Sequence, residues 1–538
     1  MTQASAPARA MPVQMSHRQI LEALSGLLLG MFVAILSGTV VANALPRIIT
    51  ELNGSQSAYT WVVTSTLLAT TATTPLWGKL ADLTSKKVLV QLSLAIFVLG
   101  SVLAGLSQST EQLIACRVVQ GIGAGGLTAL VQVIIATMIA PRERGRYSGY
   151  LGAVMAVGTI GGPLIGGVIV DTSWLGWRWC FYVGVPFALA ALVVLQRTLD
   201  LPVVRRKVKI DWWGATLITG AVSLLLIWVS LAGNQFDWAS WQTAVMVIGA
   251  LLLGAAAVRV ETRTSEPLIP PRLFRNRTIT LSVVASIAVG VGMFGASVFL
   301  GQYFQISRGA SPTMSGLMTL PMILGLLVSS TLVGRIITNT GRWKRYLVAG
   351  SALLTVGFAL MGTLRSDTPY WQVSIYMAII GVGVGMSMQN LVLAVQNTVE
   401  PHELGAASSV VAFFRSLGGA VGVSALGALL GHNVTRYLSE GLAALGVPSS
   451  GAGGGTLPDV HALPAPIRAV VESAYGHGAG DIFLAAAPFG LIALIAVLFI
   501  KEVPLLRHTG GPLTDEVEQE STVAAGGGAA VIRTGVRD

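Results

Sequence analysis

An arginine and a glutamine stand three residues apart inside an apolar segment of this sequence, Arg117-Val-Val-Gln120-Gly121-Ile-Gly123. Three residues make about one helical turn, so both side chains would lie on one face of a helix. An arginine in such a segment is costly and is by default a functional candidate. The alternative is that Arg117 extends its charge to the membrane surface, since it lies about 9 Å from a helix start at Glu111 at 1.5 Å per residue. We favour the functional interpretation.

Other kinds of chemistry find little support in the sequence. Residues 121–126 match the dinucleotide pattern G-x-G-x-x-G, but no strand precedes them, so the match is a false positive. No phosphate-binding loop G-x-x-x-x-G-K-[ST] is present, because Lys79 is followed by Leu80. Cys116 and Cys180 both lie in apolar runs, which argues against a disulfide framework. We therefore expect no enzyme, no cofactor and no metal site, and any pumping would have to use a gradient.

The composition is that of a polytopic membrane protein. The chain has 538 residues, of which 53% are hydrophobic and 11% charged, and its mean hydropathy is +0.72. Soluble domains carry about 25% charged residues. The net charge of +10 comes from basic residues scattered over short loops. Because no basic helix face with interleaved aromatics is present, we expect no nucleic-acid partner.

Hydropathy predicts fourteen membrane-spanning helices, since a span needs about 20 mostly apolar residues. The first is too long for a signal-peptide core of about 7–15 residues, so we keep it as a helix. The segments are 20–45, 58–78, 88–107, 111–139, 148–170, 178–197, 212–232, 241–258, 279–303, 312–335, 345–363, 372–397, 405–431 and 481–500.

The distribution of basic residues predicts the orientation. With the N-terminus inside, most of the 34 lysines and arginines fall in cytoplasmic loops and tails, and Arg117 and Arg415 lie within spans. This bias places both termini in the cytoplasm and the protein in the plasma membrane.

An internal repeat divides the chain into halves. The loop Pro141-Arg-Glu143-Arg-Gly145 is echoed by Pro401-His-Glu403-Leu-Gly405 at an offset of 260 residues. A second echo, from Gly78 to Gly334, continues the pattern upstream of these loops. Repeated halves with a site between them are typical of transporters. The predicted parts are a cytoplasmic tail (1–19), a six-helix bundle (20–198), a linker with two inserted helices (199–278), a second six-helix bundle (279–500) and a disordered cytoplasmic tail (501–538).

Within the second bundle, residues 432–480 are rich in glycine, alanine and proline. We predict an extracellular loop there, with a short helix near residues 467–474.

The fifth span is rich in glycine. Gly158, Gly162 and Gly166 recur every four residues and so line one face of a helix, where small residues let backbones approach closely. The repeat keeps the first two glycines, as Gly418 and Gly422, but has Val423 and Leu426 in place of Pro163 and Gly166. The shared glycines predict close packing, whereas Pro163 and Gly166 are peculiar to the first half.

Taken in order, these motifs resemble the major facilitator superfamily, and within it the 14-span drug:proton antiporters. The signature loop corresponds to Gly78, Asp82, Lys86 and Lys87, with Leu83 and Ser85 in place of an arginine and a glycine. The fourth-span motif implies that Arg117 and Gln120, together with Asp82, act in proton coupling or gating. The antiporter motif, associated with exporters, corresponds to Gly149, Gly158, Gly162, Pro163, Gly166 and Gly167. Residues 177–186, 303–305 and 415–419 also resemble this group.

The first span departs from the family's pattern. The family usually has an acidic residue where this chain has Ser37, and the asparagine is shifted to Asn43. No aspartate or glutamate falls in the middle third of any predicted span. The candidates for carrying a proton are therefore Asp82, Glu111 and Asp171 near helix ends, or Arg117 acting with water.

The resemblance implies an all-α major facilitator fold of two six-helix bundles and two extra central helices. The bundles would rock about a central cavity, and a mostly apolar cavity with a few amides suits amphipathic or cationic molecules. Candidate lining residues, each with helix packing as its alternative role, are Asn43, Gln120, Gln305, Gln389, Asn390, Trp61, Tyr303 and Phe414.

The expected function is export of drugs, antibiotics or other amphipathic small molecules by proton antiport. The alternatives are export of a natural product or lipid, and facilitated diffusion without protons. A sensor or channel would need a signalling domain or a ring of polar residues, and neither is seen. We expect a monomer whose partners are a small amphipathic substrate, protons and membrane lipids.

Overall fold

The regular structure of the described residues is helical throughout. The computed structural model describes residues 17–52, 56–139, 141–172, 174–199, 211–232, 236–264, 267–310, 312–400, 403–446, 463–503 and 505. The tails that were predicted to be cytoplasmic lie largely outside these ranges, as does most of the linker before residue 211.

Six of the predicted spans form the N-terminal part of the chain. The sixth consists of two short helices joined near Gly184. Pro186 lies in the first turn of the second of these helices. The helices are α1 (His17–Glu51), α2 (Gln56–Leu83), α3 (Lys86–Leu106), α4 (Thr110–Met138), α5 (Pro141–Asp171), α6 (Trp179–Tyr182) and α7 (Val185–Thr198).

The two inserted helices are α8 (Trp212–Leu231) and α9 (Trp241–Glu261). Each begins at a side-chain cap: Asp211 accepts a hydrogen bond from the Gly214 N–H, and Ser240 accepts one from the Thr243 N–H. Such caps satisfy backbone donors that a helix leaves free at its start. α8 packs against α2 and against the later helix Leu404–Ala444, so the insertion lies against both halves of the molecule.

The C-terminal part repeats the arrangement. A 3-10 turn at Pro271–Arg275 leads into the first helix, which ends in a π-helical turn at Tyr303–Ser307. The helices are α10 (Arg277–Gln302), α11 (Pro312–Met318), α12 (Leu320–Thr340), α13 (Lys344–Met361), α14 (Tyr370–Gln396), α15 (Leu404–Ala444) and α16 (Ala465–Leu498).

Twelve helices of the described chain are long and apolar enough to cross a membrane. They coincide with twelve of the fourteen predicted spans. The other two, α2 and α5, are helices of 28 and 31 residues at the predicted positions, but they are not among the twelve. The multi-pass, all-helical prediction is confirmed, and the number fourteen stays a prediction.

Residues 432–480 differ from the predicted loop. α15 continues through this segment to Ala444, and α16 begins at Ala465, well before the predicted start of the last span. The two extensions pack on each other, since a Cβ on Gly478 would lie 2.9 Å from the Leu430 side chain. Much of the segment is thus a helical hairpin. The predicted short helix at residues 467–474 is part of the longer helix α16.

The hydrophobic core follows the two halves. One large cluster of buried side chains is drawn from residues 20–199 and another from residues 285–505. Met155 of α5 packs against both clusters.

Candidate functional site

Arg117 and Gln120 form the centre of a buried polar network. Arg117 Nη1 donates to Gln120 Oε1. Gln120 Nε2 donates to the hydroxyl oxygens of Ser37 at 3.0 Å and Ser101 at 2.7 Å, and Arg117 Nε reaches the Val62 carbonyl at 3.5 Å. All four side chains are buried. The network joins α1, α2, α3 and α4, and Ser37, where the resemblance implied an acid, is one of its members.

This network depends on very close helix packing. A Cβ on Gly100 of α3 would lie 2.5 Å from the Gln120 backbone nitrogen, and one on Gly123 of α4 would lie 2.5 Å from the Phe97 nitrogen. Gly121 is similarly close to the Thr66 carbonyl of α2. The glycines that resemble a dinucleotide motif therefore lie in mid-helix and bring α2, α3 and α4 together.

The glycines of α5 pack against α1, as predicted from their spacing. Gly158 faces Ile35, Gly162 faces Thr39, and Gly166 faces the backbone of Val40. The Thr39 hydroxyl also donates to the Gly158 carbonyl at 3.1 Å. Gly167 is half-buried, while the surroundings of Gly149 and Pro163 lie outside the described residues.

The same packing register recurs in the second half. Gly418 and Gly422 of α15 face Ile287 and Val291 of α10. These two residues follow Ile35 and Thr39 by 252 positions, and the glycines follow Gly158 and Gly162 by 260. The repeat inferred from the loops is thus a repeat of helix packing.

Gly166 has a packing explanation that the sequence did not reveal. Its counterpart Leu426 faces Gly295 of α10, where a Cβ on the glycine would lie 3.0 Å from the Leu426 side chain. In one half the small residue lies on α5, and in the other half it lies on α10, so both pairs stay close. Of the two residues peculiar to the first half, this leaves Pro163 without such an explanation.

The signature loop joins the two halves at their predicted cytoplasmic ends. The Asp82 carboxylate accepts the Gly405 and Ala406 N–H groups, each at 2.8 Å, at the start of α15. A carboxylate is favoured there because the first N–H groups of a helix are free and carry partial positive charge. A Cβ on Gly78 would lie 2.8 Å from the Gly405 carbonyl oxygen. We call Gly78, Asp82, Gly405 and Ala406 the inter-bundle latch.

The lysines of the loop have other contacts. Lys87 Nζ donates to the Gln196 carbonyl at 2.8 Å, which ties α3 to α7. Lys86 interacts electrostatically with Asp82, as does the buried Lys79.

A buried carboxylate pair beside the latch was missed from the sequence. Asp211 caps α8 and accepts the Thr264 hydroxyl at 2.9 Å. Glu261 ends α9 and accepts the Ile269 N–H at 3.1 Å through Oε2, while its Oε1 is buried with no hydrogen-bond donor among the described residues. Lys79 interacts electrostatically with Glu261. Both acids lie at predicted span ends, where solvent exposure is the ordinary expectation, so no signal in the sequence marked them.

A further acid that the sequence analysis missed lies in the hairpin of α15 and α16. Asp481 accepts the Asn433 amide at 3.0 Å and the Tyr437 hydroxyl at 2.8 Å. Because α16 is 34 residues long, Asp481 is near its middle, not at its start. The expectation that no span carries a carboxylate in its middle third is therefore wrong for this helix.

The predicted substrate-lining residues have different surroundings. Gln389 of α14 accepts a hydrogen bond from Gln132 of α4 at 3.2 Å, between the two halves. Gln305 is exposed and Trp61 is half-buried. The side chain of Asn43 lies outside the described residues.

The remaining lining candidates have structural partners. Tyr303 is buried in the C-terminal core and donates to the Arg365 carbonyl at 2.8 Å. Asn390 donates to the Met386 carbonyl of its own helix at 2.7 Å. Phe414 packs edge-on against Phe274, with ring centres 6.1 Å apart. These contacts account for all three, so we do not carry them into the functional proposal.

The repeated bundles and the polar contacts between them define a multi-pass membrane protein of the transporter type. Residues 27–423 match the family model described as Major Facilitator Superfamily, and the chain belongs to that family. The chain is therefore a major facilitator transporter, as its motifs suggested.

Its relatives include proteins named as transporters. The chain is 38% identical to an MFS-type transporter of Mycobacterium tuberculosis over 89% of this chain and 69% of the relative. It is 34% identical to the multidrug transporter protein MdtP of Bacillus subtilis over 78% of this chain and 77% of the relative. The crystal structure of the human organic anion transporter MFSD10 has the same fold, with a TM-score of 0.59 at 14% identity, covering 89% of this chain and 99% of that one.

Proposed function

We propose that the chain exports amphipathic small molecules, including drugs and antibiotics, across the plasma membrane by proton-coupled antiport. Both termini would face the cytoplasm. The proposal is supported by relatives named multidrug transporter and efflux pump and by the antiporter-type glycine motif of α5.

The observation that carries alternating access is the inter-bundle latch. It holds the start of α15 to the end of α2 through two hydrogen bonds and one close backbone approach. These contacts can break while each bundle keeps its own core. Opening the latch would admit a molecule from the cytoplasm, and reforming it would close that side while the opposite side opens.

For proton coupling we assign a central role to Arg117 and Gln120. Arg117 has only neutral acceptors among the described residues, so no acid is paired with its guanidinium beside Gln120, Ser37 and Ser101. We infer that it orders water along α4 and that a nearby carboxyl group takes up the proton. Asp82 belongs to the latch, so a proton on its carboxylate would weaken the hold on α15.

Everted membrane vesicles test the export proposal. A fluorescent amphipathic dye should accumulate in vesicles containing the protein when their lumen is acidified, and a protonophore should abolish this. Vesicles without the protein are the control. Dye uptake that does not depend on the pH gradient would favour facilitated diffusion. Lipid movement without any dye movement would favour the lipid-exporter alternative.

A further inference from the structure

Arg415 is a buried cation without a partner among the described residues. It is the twelfth residue of α15 and lies about 17 Å from the helix start at 1.5 Å per residue, close to half the thickness of a bilayer core of about 30 Å. Its side chain is 9% exposed. Within the described chain its guanidinium makes no hydrogen bond or ion pair, and Nη1 is completely enclosed without an acceptor.

The helices packed around α15 offer Arg415 no counter-ion. Over their full described lengths α8, α10 and α14 contain no aspartate or glutamate. The acids on the other neighbours are held elsewhere. Asp82 of α2 binds the start of α15. On α16, Asp481 binds Asn433 and Tyr437, and Glu472 pairs with Arg468 at 2.9 Å. Glu111 of α4 lies in the first turn of its helix, and Glu403, just before α15, pairs with Arg272 at 2.6 Å.

The neighbouring turns of α10 also carry unpaired donors. α10 runs parallel to α15, as the pairs Ile287–Gly418 and Val291–Gly422 show, and Gly290 packs on the backbone of Arg415. Ser286 and Ser282 lie one and two turns before Gly290. Both hydroxyl groups are buried and have no hydrogen-bond partner in the part of the chain that the structure describes. Helical side chains lean toward the helix N-terminus, which brings Arg415 toward this level of α10.

An unpaired guanidinium and unpaired hydroxyl groups in an apolar surrounding point to an anionic ligand. A buried charge is stable only when it is paired, and each unsatisfied buried group requires an explanation. Guanidinium groups bind carboxylates, sulfonates and phosphates through paired hydrogen bonds. The apolar helices around Arg415 suit the rest of an amphipathic molecule.

We propose that Arg415 binds the acidic group of an amphipathic substrate, in particular a carboxylate. This rests on the proposed transport function and narrows its substrate class. Cationic molecules, which the sequence left open, are disfavoured here because Arg117 and Arg415 are already two buried positive charges.

The test uses the purified full chain in a detergent with an uncharged headgroup. The probes are N-dansyl-phenylalanine and its carboxamide, which share one fluorophore and one apolar body and differ in the carboxylate. The wild type should bind the acid about tenfold more tightly than the amide, the expected scale for one charge-assisted contact. Arg415→Gln should bring this ratio close to one while amide binding is unchanged, and Arg415→Lys should keep part of it.

Arg335→Gln is the matched control, since Arg335 is an exposed arginine of α12 whose loss should leave the ratio intact. Equal binding of acid and amide by the wild type, or an unchanged ratio in Arg415→Gln, would overturn the proposal. If Arg415→Gln does not bind the amide, Arg415→Lys is used instead. An acid-to-amide binding ratio below the wild-type value then supports the proposal, and an unchanged ratio overturns it.

A second arm separates substrate from lipid. Added phosphatidylglycerol should leave acid binding within twofold, and its complete displacement of the probe would assign the site to a lipid and overturn the substrate proposal. If the wild type shows the expected acid-to-amide binding ratio but no gradient-driven dye transport in vesicles, the export proposal is wrong and the binding site proposed here is retained.

Discussion

At the scale of single residues, the Arg117 guanidinium lies in a network whose hydrogen-bond acceptors are neutral. Ser37 accepts a hydrogen bond from Gln120, whereas an acidic residue at that position could meet the charge of Arg117. Gln120 is the hub of the network, because its amide reaches α1, α3 and Arg117 at once. Removal of the amide would leave Arg117 with the distant Val62 carbonyl.

Gln120→Ala should therefore reduce dye efflux at least about tenfold at normal expression, since a buried charged donor loses its acceptor. The measurement is efflux from cells whose membrane content of the protein is quantified. Gln91→Ala is the matched control, because Gln91 makes its amide contact with Gln196 at an exposed position. Full efflux by the Gln120 variant would show that the network is structural.

At the scale of helices, two pairs of parallel helices are packed through glycine in the same register. Hydropathy and spacing sufficed to predict the apolar helices and the close packing of α5, because both follow from local periodicity. The partner of α5 and the exchange of Gly166 for Gly295 could not be predicted, since they depend on which helices meet. The hairpin of α15 and α16 was missed because its glycine-rich composition disfavours a helix that tertiary packing nevertheless stabilises.

The packing of α5 on α1 predicts that substitutions of two glycines will differ sharply: Gly162 lies in the interface, whereas Gly38 of α1 is exposed. Gly162→Val should lower the midpoint of thermal unfolding by several degrees or prevent expression, because its side chain would collide with Thr39. Gly38→Ala should have little effect, since no atom lies within 4 Å of a Cβ there. The check is a thermal-unfolding assay of both purified variants, and equal behaviour would contradict the described packing.

At the scale of the whole molecule, the latch couples the two bundles through residues 323 positions apart in the chain. No sequence pattern predicts such a contact directly, although the signature loop marked Asp82. The inserted helices lie against the same junction, where Glu261 and Asp211 are buried. Their position gives the insertion a direct physical connection to the junction of the two halves.

Loss of the latch should shift the molecule toward the state open to the cytoplasm. Ser409 is buried beneath Gly78, so a cysteine at this position reports opening. In a Ser409→Cys background, Asp82→Asn should raise the rate of maleimide labelling from the cytoplasmic side several-fold, because a neutral amide binds the start of α15 more weakly. An Asp237→Asn variant, which lies between α8 and α9 away from the latch, should label at the original rate.

The most direct test of proton-coupled antiport is proton movement driven by substrate. Proteoliposomes containing the purified chain and a trapped pH indicator, with no imposed pH gradient, receive an amphipathic substrate on the outside only. Substrate entry should drive protons out and raise the internal pH, and Arg117→Ala should abolish that change. Substrate entry with no change of internal pH in the wild type would contradict proton coupling and leave the protein a facilitator.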